Sequence, residues 1–224
     1  MDPNVLLIVL DTARADHTSV HGYERPTTSR LEELASDSVR FDEAFSAAPW
    51  TPPSHGSIFT GVYPSSHQYL DFGMPFTPPH PPLAELLTEK GYQTFGAVQT
   101  SNLASTTEVT RGFSEYGELY RVPFVPDSIE EFKSYYLDLL PGYLELGRGS
   151  LGSGRKPAEY LCCEYLQRRI RNAAGETSFF GFINILSPHS KYAPPEPYRS
   201  RFASRRANRP SSGAREPNRS ASAW

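Results

Sequence analysis

Residues Asn4–Asp11 read NVLLIVLD, six apolar residues from Val5 to Leu10 that run straight into a carboxylate. A short, continuous, β-branched-rich run of this kind suits a strand buried on both faces of a parallel sheet. In open α/β sheets ligands sit in the crevice beyond the carboxyl ends of the strands, so Asp11 stands where chemistry is expected. The same run lacks a basic flank and is far below the roughly 20 residues of a membrane span, so it predicts neither a signal peptide nor a membrane anchor.

Working outward, Thr27, Thr28 and Ser29 offer caps for a helix over Arg30–Ser36, and a short strand is predicted at Val39–Phe41. Leu83–Lys90 reads as a helix closed by Gly91, and Gln93–Val98 as the next strand. A helix is expected over Ile129–Leu140 and a loop over Gly147–Gly154. From Pro157 onward Leu161, Cys162, Tyr165, Leu166 and Ile170 form an apolar stripe at helical spacing, up to Ala174. Ser178–Leu186, SFFGFINIL, reads as a second buried strand that ends at Ser187, Pro188 and His189.

Composition bounds the function. The 224 residues are 38% hydrophobic and 12% aromatic, too rich in Phe and Tyr for a disordered chain. Residues 1–198 carry 24 acids against 15 bases, which makes nucleic acid an unlikely main partner, because a polyanion needs a positive footprint. Residues 199–224 carry seven arginines against a single glutamate and read as a basic, disordered tail. The two cysteines, Cys162 and Cys163, are adjacent, so they staple no distant segments; the cytoplasm is the expected compartment.

Chemistry concentrates in Ala48–His67, APWTPPSHGSIFTGVYPSSH. Pro52 and Pro53 fix the backbone ahead of Ser54, and Gly56–Thr60 can form a short helix, which sets Thr51 at or just before a helix N-terminus. Such an end receives a phosphate or sulfate oxygen. A Pro-rich loop with a threonine cap is the competing reading of the same residues.

Three segments occur in a telling order: the strand ending in Asp11 with Arg14, Asp16 and Gly22 after it, Trp50–His55 leading to Thr60-Gly61 and Pro64, and Pro188-His189 before Tyr192. With Gly91-Tyr92-Gln93-Thr94 and Arg111-Gly112-Phe113 between them, the chain resembles the sulfatase branch of the alkaline phosphatase superfamily over about residues 3–198. The resemblance implies a three-layer α/β sandwich with a mainly parallel sheet, residues 1–198 being the N-terminal part of a catalytic domain. It implies one divalent metal ion, without choosing among calcium, magnesium, manganese and zinc, with Asp11, Thr12 and Thr51 as its ligands. Thr51 falls on the nucleophile and His189 on the histidine that steadies the transferred group, while His55 and Asn102 are expected as substrate contacts. A small sulfate or phosphate ester is the implied substrate.

The departures carry chemistry of their own. Family nucleophiles are Cys or Ser within C/S-x-P-S-R and become formylglycine; oxidising a threonine would give a ketone, so no formylglycine is expected. A threonine hydroxyl beside a divalent cation can still attack, as its pKa falls. Thr12 replaces the second aspartate of the usual pair, and His55 replaces the arginine, which loses a bidentate anion contact. Family members are roughly twice as long and complete the metal site with a later Asp, so the chain is expected to be truncated. A catalytically silent remnant with a binding role is the alternative function, and a tail that binds nucleic acid is the next. Arg14 and Asp16 are expected to pin their loop, and His17, His21, His67 and His80 to lie at the surface or in loops.

Overall fold

Four parallel strands form one sheet in the order β1-β4-β2-β3, comprising β1 (Val5–Leu10), β2 (Gln93–Val98), β3 (Glu115–Glu118) and β4 (Phe179–Ile185). This computed structural model describes residues 2–119, 158–173, 175–186 and 188–189. The helix expected at 129–140, the loop at 147–154 and the basic tail at 199–224 lie outside those residues. The helices are α1 (Ser29–Ala35), α2 (Thr51–Thr60), α3 (Pro64–His67), α4 (Leu83–Glu89) and α5 (Ala158–Ala173).

The alternation of β4 builds the layers. Phe179 and Ile183 point to one side, where they pack with Phe95, Cys162, Tyr165 and Leu166 beneath α5. Phe180 and Phe182 point to the other, into a core with Phe59 of α2, Ala84 of α4, Leu103 and Val109. Period-2 side-chain alternation thus gives each face its own helical layer, the expected three-layer α/β sandwich. Phe180 and Phe182 are fully buried, each worth roughly 1.5–3 kcal/mol. Burial pushes the Cys162 thiol pKa up, as suits a packing cysteine.

Several expectations are corrected. β1 is not buried on both faces: it lies at the edge of the described sheet, and Leu6 and Ile8 are 45% and 53% exposed. Val39–Phe41 forms no strand, and both apolar side chains lie in solvent, since no neighbouring strand offers a ladder. β3 is an unexpected strand: EYGE carries no apolar pattern and is a strand because it pairs with β2. His67 is fully buried, not a surface residue.

Quoted motifs tie the frame together. Gly112 has φ +97°, and a Cβ there would sit 2.2 Å from the Glu85 backbone nitrogen, so only glycine fits. Its carbonyl accepts from Thr94 Oγ1 at 2.9 Å and Thr88 Oγ1 at 2.7 Å. Arg111 pairs with Glu85 at 2.6 Å, and Phe113 stacks on Phe180 at 5.6 Å. The segment thereby clamps α4 onto the sheet.

Candidate active site

Asp11 follows β1, its amide held by the Ile185 carbonyl at 2.9 Å. Counting from Leu7 and Val9, its side chain falls on the α2 face of the sheet. Atom Oδ2 is buried and has no hydrogen-bond partner. Thr12, next in the chain, has φ +56°, a left-handed conformation that costs a β-branched residue on the order of 1–3 kcal/mol and is typical of site loops. Arg14 bridges to Asp16 at 2.6 Å and pins the loop beyond.

Thr51 is the first residue of α2, so the helix starts earlier than Gly56–Thr60. Proline is tolerated in a first turn, where amide hydrogens have no intrahelical partner. The helix stops at Gly61, whose φ of +69° allows its amide to reach the Ser57 carbonyl. Pro52 and Pro53 bring no N–H, and the Ser54 amide is already bonded to the Trp50 carbonyl at 3.2 Å. An amide cradle for an anion is therefore largely dismantled at this helix end, and a negative charge must be met by side chains or a cation.

A cleft of about 690 Å³ is lined by Asp11, Thr12, Thr51, Ser54, His55 and His189, with Phe45, Trp50 and Ile58 among its apolar residues. It gathers five of the six residues expected from sequence; Asn102, in the turn Ser101–Leu103, does not line it. His189 is exposed, with its amide bonded to the Leu186 carbonyl at 2.8 Å. No lysine or arginine lines the cleft among the described residues.

His55 is 3% exposed, its ring set edge-on to Phe182. Nδ1 lies 2.9 Å from the Thr51 carbonyl, which can only accept, so Nδ1 carries the proton. Nε2 is buried without a hydrogen bond. Burial lowers the His55 pKa, opposed by the Thr51 bond, the Asp11 charge and nearby Asn184. Asn184 is fully buried on the same face, and neither amide atom meets a hydrogen-bond partner. Sequence reasoning passed over Asn184, although one amide inside the apolar run FFGFINIL was a signal.

Ser57 also lines the cleft and bonds the buried ring of His67 at 3.1 Å. The pair looks like a nucleophile and its base, but His67 Nδ1 accepts from the Tyr69 amide at 3.1 Å. Its Nε2 therefore bears the hydrogen and donates to Ser57. His67 cannot take a proton from Ser57 in that tautomer, so the pair locks α2 against α3. Gly56 makes room for it: a Cβ there would lie 2.7 Å from the His67 ring.

A metal ion fits the donors present, since Asp11 Oδ2 is a buried carboxylate oxygen left without a partner and the Thr51 hydroxyl lines the same cleft. Among the described residues no group of three or more His, Cys, Asp or Glu side chains is assembled, so these donors would supply only part of a ligand shell.

A parallel sheet with helices on both faces carries an acid at a strand end and a hydroxyl at a helix head in one cleft. The chain belongs to the sulfatase family, whose model matches residues 3–221. It is 37% identical over 67 residues to an arylsulfatase of Clostridium perfringens, a match covering 30% of this chain and 14% of that protein. The phosphonate monoester hydrolase of Agrobacterium radiobacter superposes with a TM-score of 0.64 at 22% identity, over 90% of this chain and 44% of that one. The C-terminal periplasmic domain of EcEptC from Escherichia coli, in complex with zinc, gives a TM-score of 0.53 at 16% identity, over 96% and 52% of the two chains. The chain thus spans about half the length of these solved structures. No described helix is long and apolar enough to cross a membrane.

Proposed function

We propose that the chain is a metal-dependent hydrolase of small sulfate or phosphate esters that uses Thr51 as its nucleophile. The observation that carries this reading is the shared cleft of Thr51 and Asp11, the latter with a buried carboxylate oxygen in want of a partner. A divalent cation held by Asp11 and Thr51, with Thr12 beside them, would draw charge from the attacking oxygen and from a nonbridging ester oxygen.

Thr51 Oγ1 forms a bond to phosphorus or sulfur as the bond to the leaving alcohol breaks. Its proton passes to solvent, and His189, which lines the cleft, supplies the proton the alcohol takes away. Water then cleaves the threonyl ester, releasing phosphate or sulfate and restoring the hydroxyl. No oxidised side chain is required. Phe45, Trp50 and Ile58 give the alcohol portion an apolar wall. Asn102 remains a proposed contact to a larger ester, and the cytoplasm the proposed compartment.

Hydrolysis of p-nitrophenyl phosphate and p-nitrophenyl sulfate with added divalent metal is the test. Thr51→Ala and Asp11→Ala are each expected to lower turnover by more than about a hundredfold; activity that survives both substitutions rules the reading out. The shortage of acidic and histidine donors among the described residues favours a second reading, a catalytically silent chain that binds but does not turn over. Metal binding without hydrolysis of either ester would select it.

A further inference from the structure

The arginine of the family motif is His55 here, and a histidine in this setting does not do an arginine's work. Arginine brings only donors, whereas the His55 ring has committed its Nδ1 hydrogen to the Thr51 carbonyl. A neutral ring so tied turns the lone pair of Nε2 outward, and a lone pair repels the oxyanion that an arginine would hold. Nε2 is nonetheless buried, without a hydrogen bond, on a side chain that lines the cleft and feels the charge of Asp11.

Two buried acceptors, Asp11 Oδ2 and His55 Nε2, therefore bear on one cleft with no hydrogen bond closed to either, the Asn184 amide beside the His55 ring being itself unpaired. Burying an unpaired acceptor costs on the order of 1–3 kcal/mol. One cation accepting both lone pairs relieves both costs together. An imidazole whose far nitrogen is fixed by a backbone carbonyl is the usual form of a metal-ligating histidine, because that bond sets the tautomer and aims the ring.

We infer that His55 Nε2 is a ligand of the metal ion held by Asp11 and Thr51, which makes the site one for zinc-like ions in preference to calcium or magnesium. This rests on the metal-dependent reading above. Nitrogen donors favour zinc and its transition-metal neighbours, whereas calcium and magnesium take oxygen. Thr51 then acts twice, through its hydroxyl and through the carbonyl that orients His55.

Calorimetric titration of the full chain with zinc and with calcium salts alone tests the assignment. His55→Asn is the informative variant, because its amide nitrogen can stand in for Nδ1 and keep the Thr51 bond while the outer donor is lost. It should weaken zinc binding at least about tenfold and leave calcium binding within about twofold. Unchanged zinc affinity in His55→Asn, with binding lost in Asp11→Asn, overturns the histidine ligand and leaves the metal site standing. Zinc binding that survives Asp11→Asn overturns the underlying metal reading. Should the histidine variant not fold, nitrogen NMR of histidine-labelled wild-type protein decides. The buried ring protonated at Nδ1 should shift its Nε2 resonance on adding zinc and not calcium, and a resonance that stays in place overturns the inference. The His67 ring, protonated at Nε2, serves as the internal control.

Discussion

Two polar clusters sit on the same face of the sheet, one near each end of the strands, and they are treated in opposite ways. At the amino end of β2, Thr94 is fully buried and its hydroxyl reaches Gly112, Thr88 and Ser114. At the carboxyl end of β4, Asn184 is equally buried, and its amide, Asp11 Oδ2 and His55 Nε2 are left without hydrogen bonds. A buried polar group contributes about 1 kcal/mol when paired and costs about 1–3 kcal/mol when not, so the first cluster serves the fold, and the second is the one the proposed ligand would satisfy.

That contrast can be broken by substitution. The largest expected effect is at Gly112, where alanine must enter a left-handed backbone conformation and meet the Glu85 backbone at 2.2 Å. Gly112→Ala should cost more than about 3 kcal/mol in urea denaturation or prevent folding. Thr94→Val comes next: it strips the web of its central hydroxyl, while the Gly112 carbonyl keeps Thr88 and the Ser114 amide keeps the Thr94 carbonyl, so a loss of about 0.5–1.5 kcal/mol is expected by the same measurement. Asn184→Leu should do the least. It replaces an unsatisfied amide by an apolar group of similar size, so metal-free stability should stay within about 1 kcal/mol or rise. A loss of 2 kcal/mol or more there would mean that Asn184 serves the fold, and the contrast would fall.

The elements with strong local patterns were legible. β2 lies where the Gly91 stop put it, α4 and β4 differ from expectation by at most one residue at an end, and α5 is helical throughout Ala158–Ala173. β3 was not legible, because a polar EYGE becomes a strand through the ladder β2 offers it. Val39–Phe41 failed for the converse reason: β-branched and aromatic residues predict a strand only where a neighbour is waiting. β1 carries the pattern of a central strand and stands at the edge of the described sheet, with Ile8 half exposed. Pattern reports what a strand is suited to, and neighbours decide what covers it.

The candidate site divides in the same way. Sequence order named Asp11, Thr12, Thr51, His55 and His189, since residue type and position after a strand or before a helix are local properties. It also gave the expectation of no formylglycine at Thr51, a matter of one methyl group. Only the tertiary structure brought those residues to one cleft, sent His67 into the core, set opposite tautomers on two histidines and left Asn184 and Asp11 unpaired. Protonation, burial and partnership depend on atoms far away in the chain, and no local pattern encodes them.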